Sequence, residues 1–181
     1  VRSKLIIAGS NFTFNHISEN YQKYLTSPKK KLMVIFRGIN LEYFNSKNIS
    51  EKKVNTLAET WKIDKNNFII LLPGRLTRWK GQEMFIEALS LLVKNCNKDN
   101  FHAIILGSDQ GRNVYSKKLS LLVERYRLGK KITFIENCAE IPVAYKLADF
   151  VISSSIEPEA FGRVAVEAQA MNKPIIASDI G

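Results

Sequence analysis

Two glutamates, Glu159 and Glu167, frame the stretch Glu159-Ala160-Phe161-Gly162-Arg163-Val164-Ala165-Val166-Glu167. In a continuous helix their spacing would set the carboxylates about 12 Å apart. That span suits two contacts at opposite ends of one extended polar ligand, such as a sugar and a ribose. Between them, the amides of Phe161, Gly162, Arg163 and Val164 would open a helix. The first N–H groups of a helix lack internal partners and sit at the positive end of its dipole, so they favour a phosphate. The plainer alternative makes Glu159 a helix-start charge and Glu167 a solvated residue. The apolar neighbours Val164, Val166, Ala168 and Ala170 weaken it for Glu167. A second stretch, Gly74-Arg75-Leu76-Thr77-Arg78-Trp79-Lys80-Gly81, has the complementary charge. Gly74 lets backbone approach a ligand, and Arg75 and Lys80 bracket a loop entering a helix, where two cations can hold a diphosphate. Taken alone, it reads equally as a solvated basic loop.

Other chemistries lack their residues. No G-x-x-x-x-G-K-[ST] occurs, so ATP hydrolysis has no support. No D-x-D occurs, so a metal bridge to a nucleotide diphosphate is not expected. Ser153-Ser154-Ser155 has no nucleophile elbow or nearby His, which argues against a hydrolase. Cys96 and Cys138 lack ligand spacing, which argues against zinc or a disulfide framework and agrees with a reducing cytosol. His16, on an amphipathic stretch, and His102, in an apolar one, read as structural. Gly107-Ser108-Asp109-Gln110-Gly111 either lines a ligand or is a polar loop.

The elements that must position these groups are legible from residue 67 onward. Phe68–Leu72, Phe101–Leu106, Lys131–Ile135, Phe150–Ile152 and Pro174–Ala177 are short apolar runs. Helical spacing separates them: Met84 to Leu92, Leu119 to Tyr126 with Gly129 as its C-cap, a short helix at Pro142 to Leu147, and one from about Gly162 to Met171. Strands apolar on both faces alternating with helices predict an α/β fold with a Rossmann-like, doubly wound parallel sheet. Right-handed crossovers then gather the loops 74–80, 107–114, 136–140 and 153–162 at one sheet edge. Residues 1–45 differ: Leu5–Ala8 and Leu32–Phe36 read as strands around a helix through Ile17, Tyr21 and Tyr24. This looks like the closing βαβ segment and linker of a preceding domain, with a nucleotide-binding domain over 46–181. A helix near 50–61 opens that second unit, and the chain is expected to be truncated at both ends.

The chain has 181 residues, 45% hydrophobic, and a formal charge of +10. It carries no apolar run of membrane-spanning length. The charge is read as compositional, since Lys, Ile and Asn are all abundant and the lysines are scattered apart from Lys29-Lys30-Lys31. There is no basic stripe interleaved with aromatics, so nucleic acid is not an expected partner. A basic face remains compatible with peripheral contact at an anionic membrane.

Together these segments resemble group 1 glycosyltransferases (the GT4 family, GT-B fold), mostly the C-terminal donor-binding domain. The matching places are Gly74-Arg75-(x)4-Lys80-Gly81, Ile105-Leu106-Gly107, Ala148–Ser155, and Glu159-(x)7-Glu167 followed by Lys173–Ser178. Ala8–Phe12 and Val34–Asn40 resemble the stretch closing the first domain and entering the linker. The resemblance implies that Arg75 and Lys80 neutralise the donor diphosphate in place of a metal. It also implies that Glu159 contacts the transferred sugar, that the amides of Phe161, Gly162, Arg163 and Val164 lie near sugar and phosphate, and that Glu167 binds ribose hydroxyls. Gly74 and Gly107 would line the donor. No cofactor is implied beyond the nucleotide-diphosphate sugar.

Retention of anomeric configuration follows from the same resemblance. So does a glycan or glycolipid acceptor, with lipopolysaccharide or other cell-envelope polysaccharide synthesis in the cytoplasm or at the inner face of the membrane. The family's N-terminal domain is nearly all missing, so the chain by itself is expected to transfer little. Two alternatives are a sugar-nucleotide epimerase of GT-B architecture and a non-catalytic nucleotide-sugar-binding remnant.

Overall fold

The computed structural model describes residues 4–25, 31–96, 100–111 and 113–180. Val1, Arg2, Ser3, Lys29, Lys30, Gly181 and Arg112 of the loop 107–114 lie outside the described residues. The chain begins with β1 (Leu5–Ala8), α1 (Asn11–Asn20) and β2 (Lys31–Val34). β1 and β2 pair in parallel, with Ile7 opposite Met33. The expected helix stops short of Tyr21 and Tyr24, which enter a 3₁₀ turn at Gln22–Tyr24 or its cap. In the last turn the Asn20 side-chain amide donates to the His16 carbonyl (2.9 Å), and Tyr21 N closes the helix on Ile17 O (3.0 Å). β2 ends at Val34 rather than Phe36, although Ile35 still donates to Ala8 (3.0 Å).

The larger unit runs α2 (Glu51–Trp61), β3 (Phe68–Pro73), α3 (Gln82–Cys96), β4 (Phe101–Leu106), α4 (Asn113–Arg125), β5 (Ile132–Ile135), α5 (Ile141–Leu147), β6 (Phe150–Ser153), α6 (Arg163–Ala170) and β7 (Ile175–Ala177). Among the described residues its strands form a parallel sheet in the order β5-β4-β3-β6-β7. The order reverses between β3 and β6, the switch point at which open α/β sheets bind ligands.

Alternation along β3 shows why both faces are covered. Ile69 and Leu71 join Val54, Ala144 and Ala168 in one apolar cluster, beneath α2, α5 and α6. Ile70 and Leu72 join Ile86, Leu89 and Leu119 in the other, beneath α3 and α4. The sheet is therefore doubly wound, as its apolar runs predicted. The connector is tied to the first cluster: Phe44 is buried there and meets the Tyr145 ring edge-on, with centroids 6.0 Å apart.

Gly129 is not the C-cap of α4. That helix ends at Arg125, and Arg127 takes the left-handed conformation (φ 57°) instead. Arg127 N donates to Glu124 O and Leu128 N to Val123 O, both 2.9 Å. Burial of Leu128 with Val123 supplies the apolar contact that closes this motif and offsets the missing glycine. Among the described residues, no helix is long and apolar enough to cross a membrane.

Candidate functional site

The loops following β3 and β6 are neighbours because their strands are, and the side chains fasten them together. Arg78 pairs with Glu157, and Lys80 Nζ lies 2.6 Å from Glu159 Oε1. Ile156 N donates to Trp79 O (2.8 Å), and the Ser154 hydroxyl lies 3.1 and 3.2 Å from the Lys80 and Gly81 carbonyls. Contact is so close at Gly81 that a Cβ there would stand 1.8 Å from the Ser154 carbonyl oxygen. A Cβ on Gly107 would likewise fall 2.1 Å from the Gly74 carbonyl oxygen, so these glycines let the loops after β3 and β4 touch. Gln82, wholly buried, donates from Nε2 to Arg75 O (2.8 Å) and holds the basic loop against α3.

A cleft of about 840 Å³ opens at this edge, walled by the connector 37–44, the loops after β3, β4 and β5, and the first turns of α6. Of the residues expected from sequence, Gly74, Arg75, Gly107, Arg163, Val164 and Glu167 line it. Glu159, Phe161 and Gly162 instead line an adjoining recess of about 220 Å³, with Ser155, Ser178 and Asp179. Lys80 stands between the two. Its stem runs over Gly74, 3.6 Å from where a Cβ would be, and its ammonium reaches Glu159 after passing 4.4 Å from the Trp79 ring centroid.

The continuous-helix spacing of the glutamates does not hold, because α6 begins only at Arg163. Gly162 turns the backbone at φ 70° and offers no side-chain cap, which leaves the first amides of α6 without a side-chain acceptor there. Glu157, a second carboxylate in the loop after β6, faces Arg78 at the surface and does not line the cleft.

Glu167 is 7% exposed. An unpaired carboxylate so placed costs on the order of several kcal/mol, and two partners offset it. The Tyr145 hydroxyl donates to Oε2 (2.8 Å), while Arg163 donates to Oε1 from Nε (3.0 Å) and Nη2 (2.7 Å). Burial, then the adjacent Glu167 carboxylate, pushes the Tyr145 hydroxyl above its usual range, so it remains a proton donor. Burial also raises the Cys138 thiol on the cleft wall. Asp109 is committed locally, accepting from Gly111 N of its own loop (2.9 Å) and from the Ser116 hydroxyl of α4 (2.7 Å). His16 is exposed, and His102 Nε2 lies 2.8 Å from the Thr133 hydroxyl, away from the cleft.

Sequence reading missed Tyr145, Gln82, Trp79 and the connector residues Asn40, Tyr43 and Phe44. A tyrosine inside an apolar helix and an aromatic pair in a linker carry no motif. Only Trp79, between two cations in a basic loop, offered a signal, through cation–π geometry: it lies 6.0 Å from Arg75 Cζ as well as close to Lys80.

Residues 53–181 match the family of group 1 glycosyl transferases. The chain belongs to this family. An uncharacterized glycosyltransferase of Methanocaldococcus jannaschii is 31% identical over 169 residues, covering 91% of this chain and 40% of that protein. A solved glycosyltransferase of Rickettsia africae is 37% identical with a TM-score of 0.86, covering 97% of this chain and 44% of that one. HepE of Anabaena, solved in complex with UDP and glucose, is 28% identical with a TM-score of 0.83, covering 99% of this chain and 45% of that one. The chain thus spans less than half the length of these relatives. The expected α/β architecture, that of the GT-B glycosyltransferases, is the one found.

Proposed function

We propose that this chain forms the donor-binding half of a retaining, metal-independent glycosyltransferase. It would move a sugar from a nucleotide-diphosphate sugar to a glycan or lipid-linked acceptor during cell-envelope polysaccharide or lipopolysaccharide synthesis. The observation that carries the reading is the cleft at the switch point, with Arg75 on one wall and the buried Glu167 on another. The resemblance of the fold to Anabaena HepE, a protein solved with UDP and glucose, supports a nucleotide-sugar donor.

In this reading Glu167 accepts from the ribose hydroxyls, and the first amides of α6 and Arg75 face the diphosphate. Lys80 exchanges its bond to Glu159 for the diphosphate, which frees Glu159 for the sugar. As the bond from the anomeric carbon to the diphosphate oxygen breaks, negative charge grows on that oxygen. Fixed cations and amides stabilise it without reorganising, the usual dominant catalytic effect. The acceptor hydroxyl forms the new bond on the same face and passes its proton to the leaving diphosphate. The remainder of the acceptor site would come from an N-terminal Rossmann-like domain, and the basic balance suits work at the cytoplasmic face of an anionic membrane.

Calorimetric titration with UDP-, GDP- and ADP-sugars tests the donor site. One of them should bind, with weaker binding after Lys80→Ala and Glu167→Ala. Binding unaffected by both changes would overturn the assignment.

A further inference from the structure

Tyr145 is the largest side chain in the described molecule with essentially no exposed surface, and its one side-chain polar atom points at Glu167. The two grips on that carboxylate differ in kind. Arg163 reaches Oε1 from a side chain that is 64% exposed, where water competes for its N–H groups. Tyr145 reaches Oε2 from the buried face of α5, with its ring held edge-on by Phe44 of the connector. The last torsion of a glutamate is broad, so a carboxylate held only by one solvent-exposed partner at a single oxygen can sample many orientations. One held by a fixed hydroxyl does not.

We propose that Tyr145 is the positioning residue for Glu167, fixing the carboxylate so that its remaining lone pairs face the cleft. Phe44 ties that orientation to the connector that walls the same cleft. Tyr145 does not itself line the cleft, so it acts on a ligand only through Glu167. This rests on the reading of Glu167 as the ribose contact, and the experiment separates the two ideas.

UDP, GDP and ADP are titrated calorimetrically into the 181-residue chain, and the tightest binder is compared with its 2′,3′-dideoxy analogue. Tyr145→Phe keeps the ring and removes only the hydroxyl. It should weaken the ribose form about five- to tenfold and leave the dideoxy form unchanged. In a Glu167→Gln background it should add little. Equal weakening of both ligands, a full additional loss on top of Glu167→Gln, or no effect at all would overturn the proposal while leaving the donor site standing. If the parent chain does not distinguish ribose from dideoxyribose, or binds none of the three nucleotides, the ribose contact fails and the positioning role fails with it.

Discussion

The two glutamates of the signature stretch are both withdrawn from water and both paired with a cation, but they are held in different ways. Glu167 sits on a regular helix, where the exposed Arg163 pairs with one oxygen and the buried Tyr145 hydroxyl, a neutral donor, orients the other. Glu159 sits in an irregular loop, where Lys80 neutralises it and the Ser155 hydroxyl donates to the same oxygen. The Lys80 and Glu159 side chains are only 13% and 15% exposed. The Glu167 end is therefore preformed, whereas the Glu159 end is a closed ion pair whose cation is the group that the proposed donor diphosphate would need. On that proposal a ligand would settle on the first as it stands but would exchange partners at the second.

The strongest way to break this contrast is to separate the loops that build the Glu159 end. Gly81→Ala puts a Cβ against the Ser154 carbonyl and forces a left-handed backbone on a residue that resists it. A loss of about 3 kcal/mol or more in urea unfolding is expected, with nucleotide binding gone. Arg163→Ala at the other end takes the cation from a nearly buried carboxylate but leaves its Tyr145 bond, and should cost less, about 2 kcal/mol. Equal losses would show that the loop contact is not structural.

Lys80→Ala comes next, because it strands a nearly buried carboxylate. A stability loss of about 2 kcal/mol is expected. Adding Glu159→Gln should recover most of it without restoring nucleotide affinity. If the double variant is no more stable than the single one, the pair is not what holds these loops.

Glu159→Gln alone sharpens the exchange idea with a smaller effect of opposite sign. It releases Lys80, so a nucleoside diphosphate without a sugar should bind about two- to fivefold more tightly, since the ligand no longer competes with a carboxylate. Unchanged or weaker binding in calorimetry would remove partner exchange from the picture.

What the sequence showed depends on how far apart the partners lie along the chain. The sheet was legible because a strand covered on both faces must be apolar throughout, as in Phe68–Leu72 and Phe101–Leu106. The ligand edge followed from the handedness of the crossovers. Glu159 and Glu167 stood out by their spacing and the apolar helix around Glu167, whereas Arg75 and Lys80, equally a solvated basic loop when read alone, stood out through the family resemblance. Their division between a cleft and a recess was not legible. It arises from the turn at Gly162 and from Lys80 meeting Glu159, a contact between residues 79 positions apart. Tyr145 was invisible for the same reason: its partner lies 22 positions away, and its neighbours read as core. Arg127 in the left-handed position shows a local rule, glycine at a helix end, overridden by burial of the residue that follows it.

The smallest effect tests whether the site is insulated from the opposite edge of its sheet. His102 stands near the start of β4, whereas the cleft lies beyond the strand's other end. Burial, and then Lys131, lowers its pKa, so the folded chain resists protonation there more than the unfolded chain does. Its contribution to stability is therefore present above about pH 6.5 and is lost as the pH falls through the lowered value. Between pH 7.5 and 5.5 the parent chain should lose about 1–2 °C more in Tm than His102→Gln, which can still bond to Thr133. Nucleotide affinity should respond to pH identically in both. If His102→Gln changes that response, charge at one edge of the sheet reaches the other, and the preformed character of the Glu167 end no longer belongs to Tyr145 and Arg163 alone.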